Sequence, residues 1–459
     1  MILLINPAPP LNSPWYIGQK VPPLGLAYVA AALEKGGFSV EIVDNYLLEK
    51  PIEHIKERIR RLNPEIVGLT CSSVAYRGCV EIAKIVKENL PSCKVVVGGP
   101  HPSMVPGSML QHPEIDYAIL GEGERAIVEL AAQITESKES LAIATIPGVA
   151  CRHEGKIVTN PPEFIRDLDQ VPIPARHLFP MHLYDRMVEY LDAKPADLMN
   201  VVRGCPYNCA YCEISRLWGQ TCRAFSPPRV VEEIEDLINK HGSKGVYFIG
   251  DNFTVRKKYV LEICELIKKH QLDIEWVCDA RVDHVSRELL KEMKSAGCQT
   301  IWFGAESGSP RILERIRKGA TLQQTANAFK LCKEEGIQTA CSFMLGIPGE
   351  TPSDWKATFK FVKKLDPDWC RFNVFVAVPG SSLYEEILEK GLYDRMDDFV
   401  AYVRTEYFNY ESILEVQRRF LRDFNRSPKR IFRKIRREGI FPVLKKSFRL
   451  FSSNSSKPR

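Results

Sequence analysis

The stretch Arg203-Gly-Cys205-Pro-Tyr-Asn-Cys209-Ala-Tyr211-Cys212 spaces three cysteines as C-x3-C-x2-C on a loop that follows a short apolar run at 198–202. Thiolate sulfur is a soft donor that suits zinc or an iron–sulfur cluster, and a four-iron cubane normally takes four cysteines. The run offers three. A cubane held this way keeps one iron without a protein ligand, an open position for a small chelating molecule. A zinc knuckle would need a fourth Cys or His close by, and Cys222, ten residues on, is the only near candidate. A disulfide is the weakest of the three readings, for the reasons of compartment given next.

The chain has 459 residues, too many for one core, and is expected to divide into two or three domains. No run of eighteen apolar residues occurs, so no membrane-spanning helix is expected. Met1-Ile-Leu-Leu-Ile-Asn6-Pro7 has no basic lead and breaks at proline, so it reads as a first buried strand and not a signal peptide. Fourteen cysteines without an export signal point to a reducing, cytoplasmic compartment. Eleven of them lie singly, Cys71, Cys79, Cys93, Cys151, Cys264 and Cys298 among them, and read as small buried hydrophobes. Charge is uneven. Residues 418–459 carry fifteen Lys and Arg against Asp423 and Glu438, which leaves the rest of the chain net acidic under a formal total of +6.

The first 150 residues alternate apolar runs at 2–6, 39–44, 65–70, 94–98 and 117–120 with amphipathic stretches at 24–35, 52–62, 78–90 and 124–135. That alternation predicts a parallel sheet covered on both faces, whose ligands sit beyond the carboxyl ends of the strands. The loops to watch are 7–20, 71–77, 98–103 and 121–124. None carries G-x-G-x-x-G or a Walker lysine, so dinucleotide and triphosphate binding are unsupported. Residues 146–194 open with a hairpin at 148–159 and continue through five prolines, a stiff strap on which Arg176, His177 and His182 are expected to pack. Strands at 245–249, 274–278, 300–303, 339–345 and 369–376 then alternate with helices. They predict a βα barrel with its functional groups at the C-terminal strand ends.

With Tyr211 just before its last cysteine, the C-x3-C-x2-C loop resembles the signature of the radical S-adenosylmethionine (SAM) enzymes. The resemblance implies a [4Fe-4S] cluster on Cys205, Cys209 and Cys212. SAM would chelate the open iron, and an electron from the cluster would cleave it to a 5′-deoxyadenosyl radical. Further stretches follow in the family's order: Gly250-Asp251-Asn252, expected near the SAM amino group; Glu306-Ser307, near its ribose and methionine parts; and Ile347, in an apolar turn bordering the adenine. Asp279-Ala-Arg281-Val-Asp283 adds a cation and two carboxylates on one loop. A zwitterionic ligand needs a carboxylate near its ammonium, donors for its carboxylate, and glycines where backbone approaches. Arg223 is expected either at the SAM carboxylate or on a surface acid.

The first domain, with its GGPHPS and GEGE turns, resembles the cobalamin-binding domain that precedes many radical SAM barrels. The implied cobalamin neighbours are Ser72, Ser73, Val74, Tyr76, Gly98, Gly99, His101, Gly121 and Glu122, with Arg77 beside them. The D-x-H-x-x-G motif that supplies a cobalt-ligating histidine is absent: Asn6-Pro-Ala-Pro-Pro stands there, and no histidine precedes His54. Cobalt is therefore expected without a histidine ligand, and His101 reads as a turn residue near the nucleotide tail.

The expected fold is α/β: a Rossmann-like, doubly wound cobalamin-binding domain (1–145), a proline-rich linker with a hairpin (146–194), a partial (β/α)6 TIM-type radical SAM barrel (195–395) and a helical basic region (396–459). The implied function is a cobalamin-dependent radical SAM enzyme that methylates an unactivated carbon. The alternatives are a radical ring closure, rearrangement or carbon–carbon coupling without methyl transfer, and a non-catalytic iron–sulfur and cobalamin sensor. Expected partners are a small-molecule substrate, lipids and isoprenoids among the candidates, and a reductant such as flavodoxin or ferredoxin. The basic tail, with Phe420, Leu421, Phe424, Ile431, Phe432 and Ile435 among its cations, is expected on an anionic membrane surface, with packing against the barrel as the alternative. No nucleic-acid partner is expected.

Overall fold

Five short apolar runs build the first sheet: β1 (Ile2–Asn6), β2 (Val40–Asp44), β3 (Ile66–Thr70), β4 (Lys94–Gly98) and β5 (Tyr117–Ile119). The computed structural model describes residues 1–7, 20–136, 143–188, 190–428 and 430–431. In β1, Leu3 and Ile5 face the helices Pro51–Leu62 and Tyr76–Asn89, while Ile2 and Leu4 face Leu24–Lys35 and Gly123–Thr135. The two-residue period of a strand thus fills two cores from one continuously apolar run. The parallel order is β2-β1-β3-β4-β5, so the strand order reverses between β1 and β3, where a crevice for ligand opens.

The hairpin β6 (Val149–His153) and β7 (Lys156–Thr159) continues that sheet, β6 pairing antiparallel with β5. The strap after it is tied to both sides. Tyr184 donates to Asp44 at 2.8 Å, and Arg186 grips Asp197 at 2.6 and 3.0 Å. Arg176 lies buried against Glu233 at 2.7 Å.

The second sheet runs β8 (Ala196–Arg203), β10 (Gly245–Gly250), β11 (Glu275–Ala280), β12 (Cys298–Glu306), β13 (Gln338–Leu345) and β14 (Trp369–Val374), all parallel neighbours in chain order. β9 (Arg223–Ala224) lies antiparallel on the free edge of β8. This is a partial six-stranded barrel, open at the edge nearest the first domain. Trp276, Phe248, Phe253, Phe303 and Phe343 are fully buried between the strands and their helices.

Beyond the barrel the structure departs from expectation. A small antiparallel sheet forms from β15 (Val376–Ala377), which overlaps the end of the strand expected at 369–376, and from β16 (Tyr393–Asp397) and β17 (Val400–Val403), which fall where helix was expected. The run 393–397 is mostly charged, and the apolar run 400–403 is only four residues long, so neither announces a strand. The helix Tyr410–Asn425 follows, and Phe420 and Phe424 are buried, Phe420 stacked on Phe359 at 4.4 Å. The aromatic face expected on a lipid surface is therefore covered by the barrel over this helix. Phe432, Ile435 and the rest of the tail lie outside the described residues. Among the described residues no helix is long and apolar enough to cross a membrane.

Arg176 donates to Glu233 and to the Leu198 carbonyl, and Glu233 is 1% exposed. Arg176→Ala would leave a buried carboxylate held only by Arg229 at 3.5 Å. A loss of about 3 kcal/mol is expected, read as a lower denaturant midpoint.

Candidate functional site

The cluster loop begins where β8 ends. Gly204 turns the chain at φ +88°, and a Cβ there would lie 2.1 Å from the Thr221 carbonyl oxygen. Its N–H donates to Asp251 Oδ2 at 2.6 Å. Further on, Ala210 N–H donates to the Ile316 carbonyl, and Leu383 N–H to the Ala210 carbonyl. The loop is thereby fastened to three neighbouring barrel loops. All three thiols are free, Cys209 buried and Cys205 and Cys212 half-buried. Burial chiefly, then repulsion between the sulfurs, pushes Cys205 up and Cys212 to about 12; amide N–H groups of Tyr207 and Ile214 on the two sulfurs act the other way. Crowded thiols with amide donors on sulfur suit a group that binds them as thiolates and brings its own positive charge. Burial chiefly pushes the Cys222 thiol up, and the nearby Cys205 and Asp251 add to it against the Arg256 and Arg223 cations.

Above the cysteines, Tyr211 donates to Glu306 Oε1 at 2.9 Å, and Lys318 Nζ donates to the same oxygen at 2.9 Å. Glu306 sits at φ +62° where β12 ends. Arg281 lies 3.7 Å over the Tyr207 ring, pairs with both Asp283 oxygens at 3.0 Å and donates to the Lys318 carbonyl. Burial pushes Asp251 up to about 6 and Asp279, which accepts from Tyr247 at 2.7 Å, to about 7. Asn252 Nδ2 and Thr254 Oγ1, at the end of β10 beside Asp251, are buried without partners. Carboxylates, a buried lysine and orphaned polar atoms next to the cysteine loop fit a small zwitterion such as SAM.

Two expectations change. Ile347 is wholly buried in the core, and its N–H donates to Glu350 Oε2 at 3.0 Å; only backbone of that turn is left to face an adenine. Ser307 is also fully buried, 3.3 Å from Thr358 Oγ1, and accepts from Ser309 N–H, so it holds the loop. Lys318 was not anticipated. Its signal was the pair Arg317-Lys318 just after the short helix Pro310–Arg315.

The residues expected around cobalamin separate into two groups. Gly98, Gly99, Gly121 and Glu122 line a cavity of about 380 Å³ at the sheet's switch point. Tyr28, Gly68, Arg203 and Trp218 complete it, none of them anticipated. A Cβ on Gly68 would come within 2.6 Å of Leu4 Cδ2, a glycine inside a strand being the sign that could have found it. Apolar walls and glycines fit one flat arm of cobalamin, the base of its nucleotide. Ser72, Ser73, Val74, Tyr76 and His101 lie apart from this cavity on the neighbouring loops. His101 Nδ1 is 3.0 Å from Ser73 Oγ and Nε2 is 2.9 Å from Ser108 Oγ, and burial lowers it to about 4. Both ring nitrogens are engaged by serine hydroxyls of the neighbouring loops.

Glu122 and Arg223 meet each other. Glu122 is fully buried at its side chain and accepts from Arg203 at 2.8 Å, Arg223 at 2.7 Å and Ile165 N–H at 2.6 Å. Both carboxylate oxygens are thus engaged by the chain itself, and the acid that Arg223 pairs with is a buried one, not a surface one. Arg203 also takes Glu124 at 2.6 Å and lies 5.2 Å from Tyr28 and 5.4 Å from Trp218. The residue two before Cys205 is therefore locked into the first domain.

A family model described as the radical SAM superfamily matches residues 199–362, and one described as a B12 binding domain matches residues 16–131. An uncharacterized methyltransferase of Pyrococcus horikoshii is 34% identical over 98% of this chain and 97% of its own. The anaerobic magnesium-protoporphyrin IX monomethyl ester cyclase of Rubrivivax gelatinosus is 30% identical, over 80% of this chain and 67% of its own. Among solved structures, a radical S-adenosylmethionine methyltransferase of Kitasatospora setae with cobalamin and a [4Fe-4S] cluster bound superposes with a TM-score of 0.69 at 22% identity. It covers 86% of this chain and 76% of that one.

Gly204→Ala would drive a Cβ into the Thr221 carbonyl at a left-handed φ. The expected outcome is near-complete loss of iron after anaerobic reconstitution with an unchanged far-ultraviolet circular dichroism spectrum.

Proposed function

The chain belongs to the radical SAM superfamily, in the group that carries a B12 binding domain, and from that premise we propose that it is a C-methyltransferase acting on an unactivated carbon. The observation that carries the reading is the end-to-end match to the Pyrococcus methyltransferase, in which 98% of one chain aligns with 97% of the other and no domain is left over. The [4Fe-4S] cluster, SAM and cobalamin are its cofactors. When bound they supply one electron, a carbon radical able to take hydrogen from an unactivated position, and a methyl donor.

The chain's own share is placement. Cys205, Cys209 and Cys212 would hold the cluster. Asp251 and Glu306 would face the ammonium of SAM, Lys318 its carboxylate, and Gly98, Gly99 and Gly121 the cobalamin. The buried seam around Arg203 keeps water from the space between them. A reductant of the flavodoxin or ferredoxin kind would feed the cluster, in a reducing cytoplasm that fourteen unpaired cysteines suit. A second reading, ring closure without methyl transfer, is favoured by the Rubrivivax relative. A lipid or isoprenoid substrate would agree with residues 432–459, which carry nine Lys and Arg against Glu438.

Anaerobic reconstitution with dithionite and methyl-deuterated SAM tests the reading. Expected are 5′-deoxyadenosine, S-adenosylhomocysteine and a product heavier by a labelled methyl, none of the three forming with Cys209→Ala. 5′-Deoxyadenosine without labelled product would favour ring closure, and its absence the sensor. For the tail, removal of residues 432–459 is expected to abolish co-flotation with phosphatidylserine vesicles; equal recovery of both forms would end the lipid argument.

A further inference from the structure

We propose that the turn Asp398-Phe399, which joins β16 to β17 beyond the barrel, is the closing wall of the cobalamin site, a latch that lifts when the cofactor enters or leaves. The inference rests on the functional reading of the first domain. It concerns a segment that the sequence placed in a helical tail and that none of the expected site residues includes.

The turn reaches from the barrel's extension onto the loops at the carboxyl ends of β3 and β4, where ligands of such a sheet sit. The Phe399 ring lies 5.1 Å from that of Tyr76 and 4.7 Å from that of His101. Asp398 accepts from Arg77 Nε with both oxygens, at 2.9 and 3.0 Å. The loops beneath are braced from within. Tyr76 meets His112 at 2.7 Å, and His101 is held by Ser73 and Ser108. The turn is the yielding partner. Residues 394–398 are exposed, and Asp398 takes φ +52°, the left-handed conformation of a two-residue hairpin loop. The Arg203 seam at the glycine-lined cavity is, by contrast, buried and ionic, so opening there would strand charges in the interior. Opening at Asp398-Phe399 frees one ring and exposes no buried charge.

Magnitudes rank the two contacts. The Arg77 side chain is 76% exposed, and an exposed ion pair contributes little. Paired aromatic contacts contribute more.

The test uses full-length protein loaded with hydroxocobalamin, freed of excess, and followed by the absorbance of cobalamin released on dilution. Phe399→Ala is expected to release about tenfold faster than wild type, Arg77→Ala less than about threefold. Should Phe399→Ala fail to fold, Phe399→Leu, which keeps bulk and loses the ring contacts, is expected to fall between. Hydrogen–deuterium exchange of peptides spanning 71–77 in cobalamin-free protein, expected to rise in Phe399→Ala, reads the latch without the cofactor. Release and exchange at wild-type rates would overturn the latch alone. Wild-type protein that retains no cobalamin would overturn the reading of the domain and the gate with it.

Discussion

One guanidinium organises this molecule. Arg203 ends the first barrel strand two residues before the first cluster cysteine, and its two carboxylate partners, Glu122 and Glu124, belong to the other domain. All three side chains are at least nine-tenths buried. Burying such a set gains little net stability, because desolvation offsets most of the attraction, but any arrangement that breaks it leaves a charge in the interior. The network therefore acts on register. The cluster loop and the glycine-lined cavity meet in one relative position or at a cost of several kcal/mol. Two cofactors that must react together through space need that constraint.

The same economy of water runs through the site. Asp251, Asp279 and Glu350 are all held above the ordinary carboxylate range, and burial is the first cause each time. Glu350 spends one oxygen on three N–H donors, of Gly346, Ile347 and Trp355, which fixes the turn beside the SAM residues without presenting a side chain to them. At this turn the chain presents backbone and glycine, with the Glu350 side chain withdrawn into the frame.

This division explains what could be seen in the sequence. The cysteine spacing, both parallel sheets and the helices between them were legible, because continuous apolar runs and amphipathic periods are local signals. Gly98 and Gly121, which line the cavity, were legible for the same reason: a bare turn announces itself by residue type. Glu122 was found, but its role was not. Whether a carboxylate faces a cofactor or an arginine 81 residues away is decided by tertiary packing, and nothing in GEGE distinguishes the two. Phe420 and Phe424 carried a true amphipathic signal whose partner was misread, since an apolar helix face looks the same whether it meets lipid or Phe359 and Phe372. The strands at 393–403 were missed because the first is mostly charged and exposed and the second is a four-residue apolar run, too short to be told from a helix turn.

The two borders of the cofactor space differ in stiffness, and the difference follows from where each draws its energy. Along the seam, Arg203 and Arg223 converge on carboxylates with no solvent to replace them, so separation is an all-or-none event with a high barrier. At the turn beyond the barrel, the half-buried Phe399 ring rests on Tyr76 and the buried His101, and lifting it breaks no buried ion pair. A cofactor as large as cobalamin cannot pass through a wall of the first kind on any useful timescale, and could not be retained by two walls of the second. One rigid border that sets the distance between reacting centres, and one that yields, is the arrangement under which loading and precise placement are compatible.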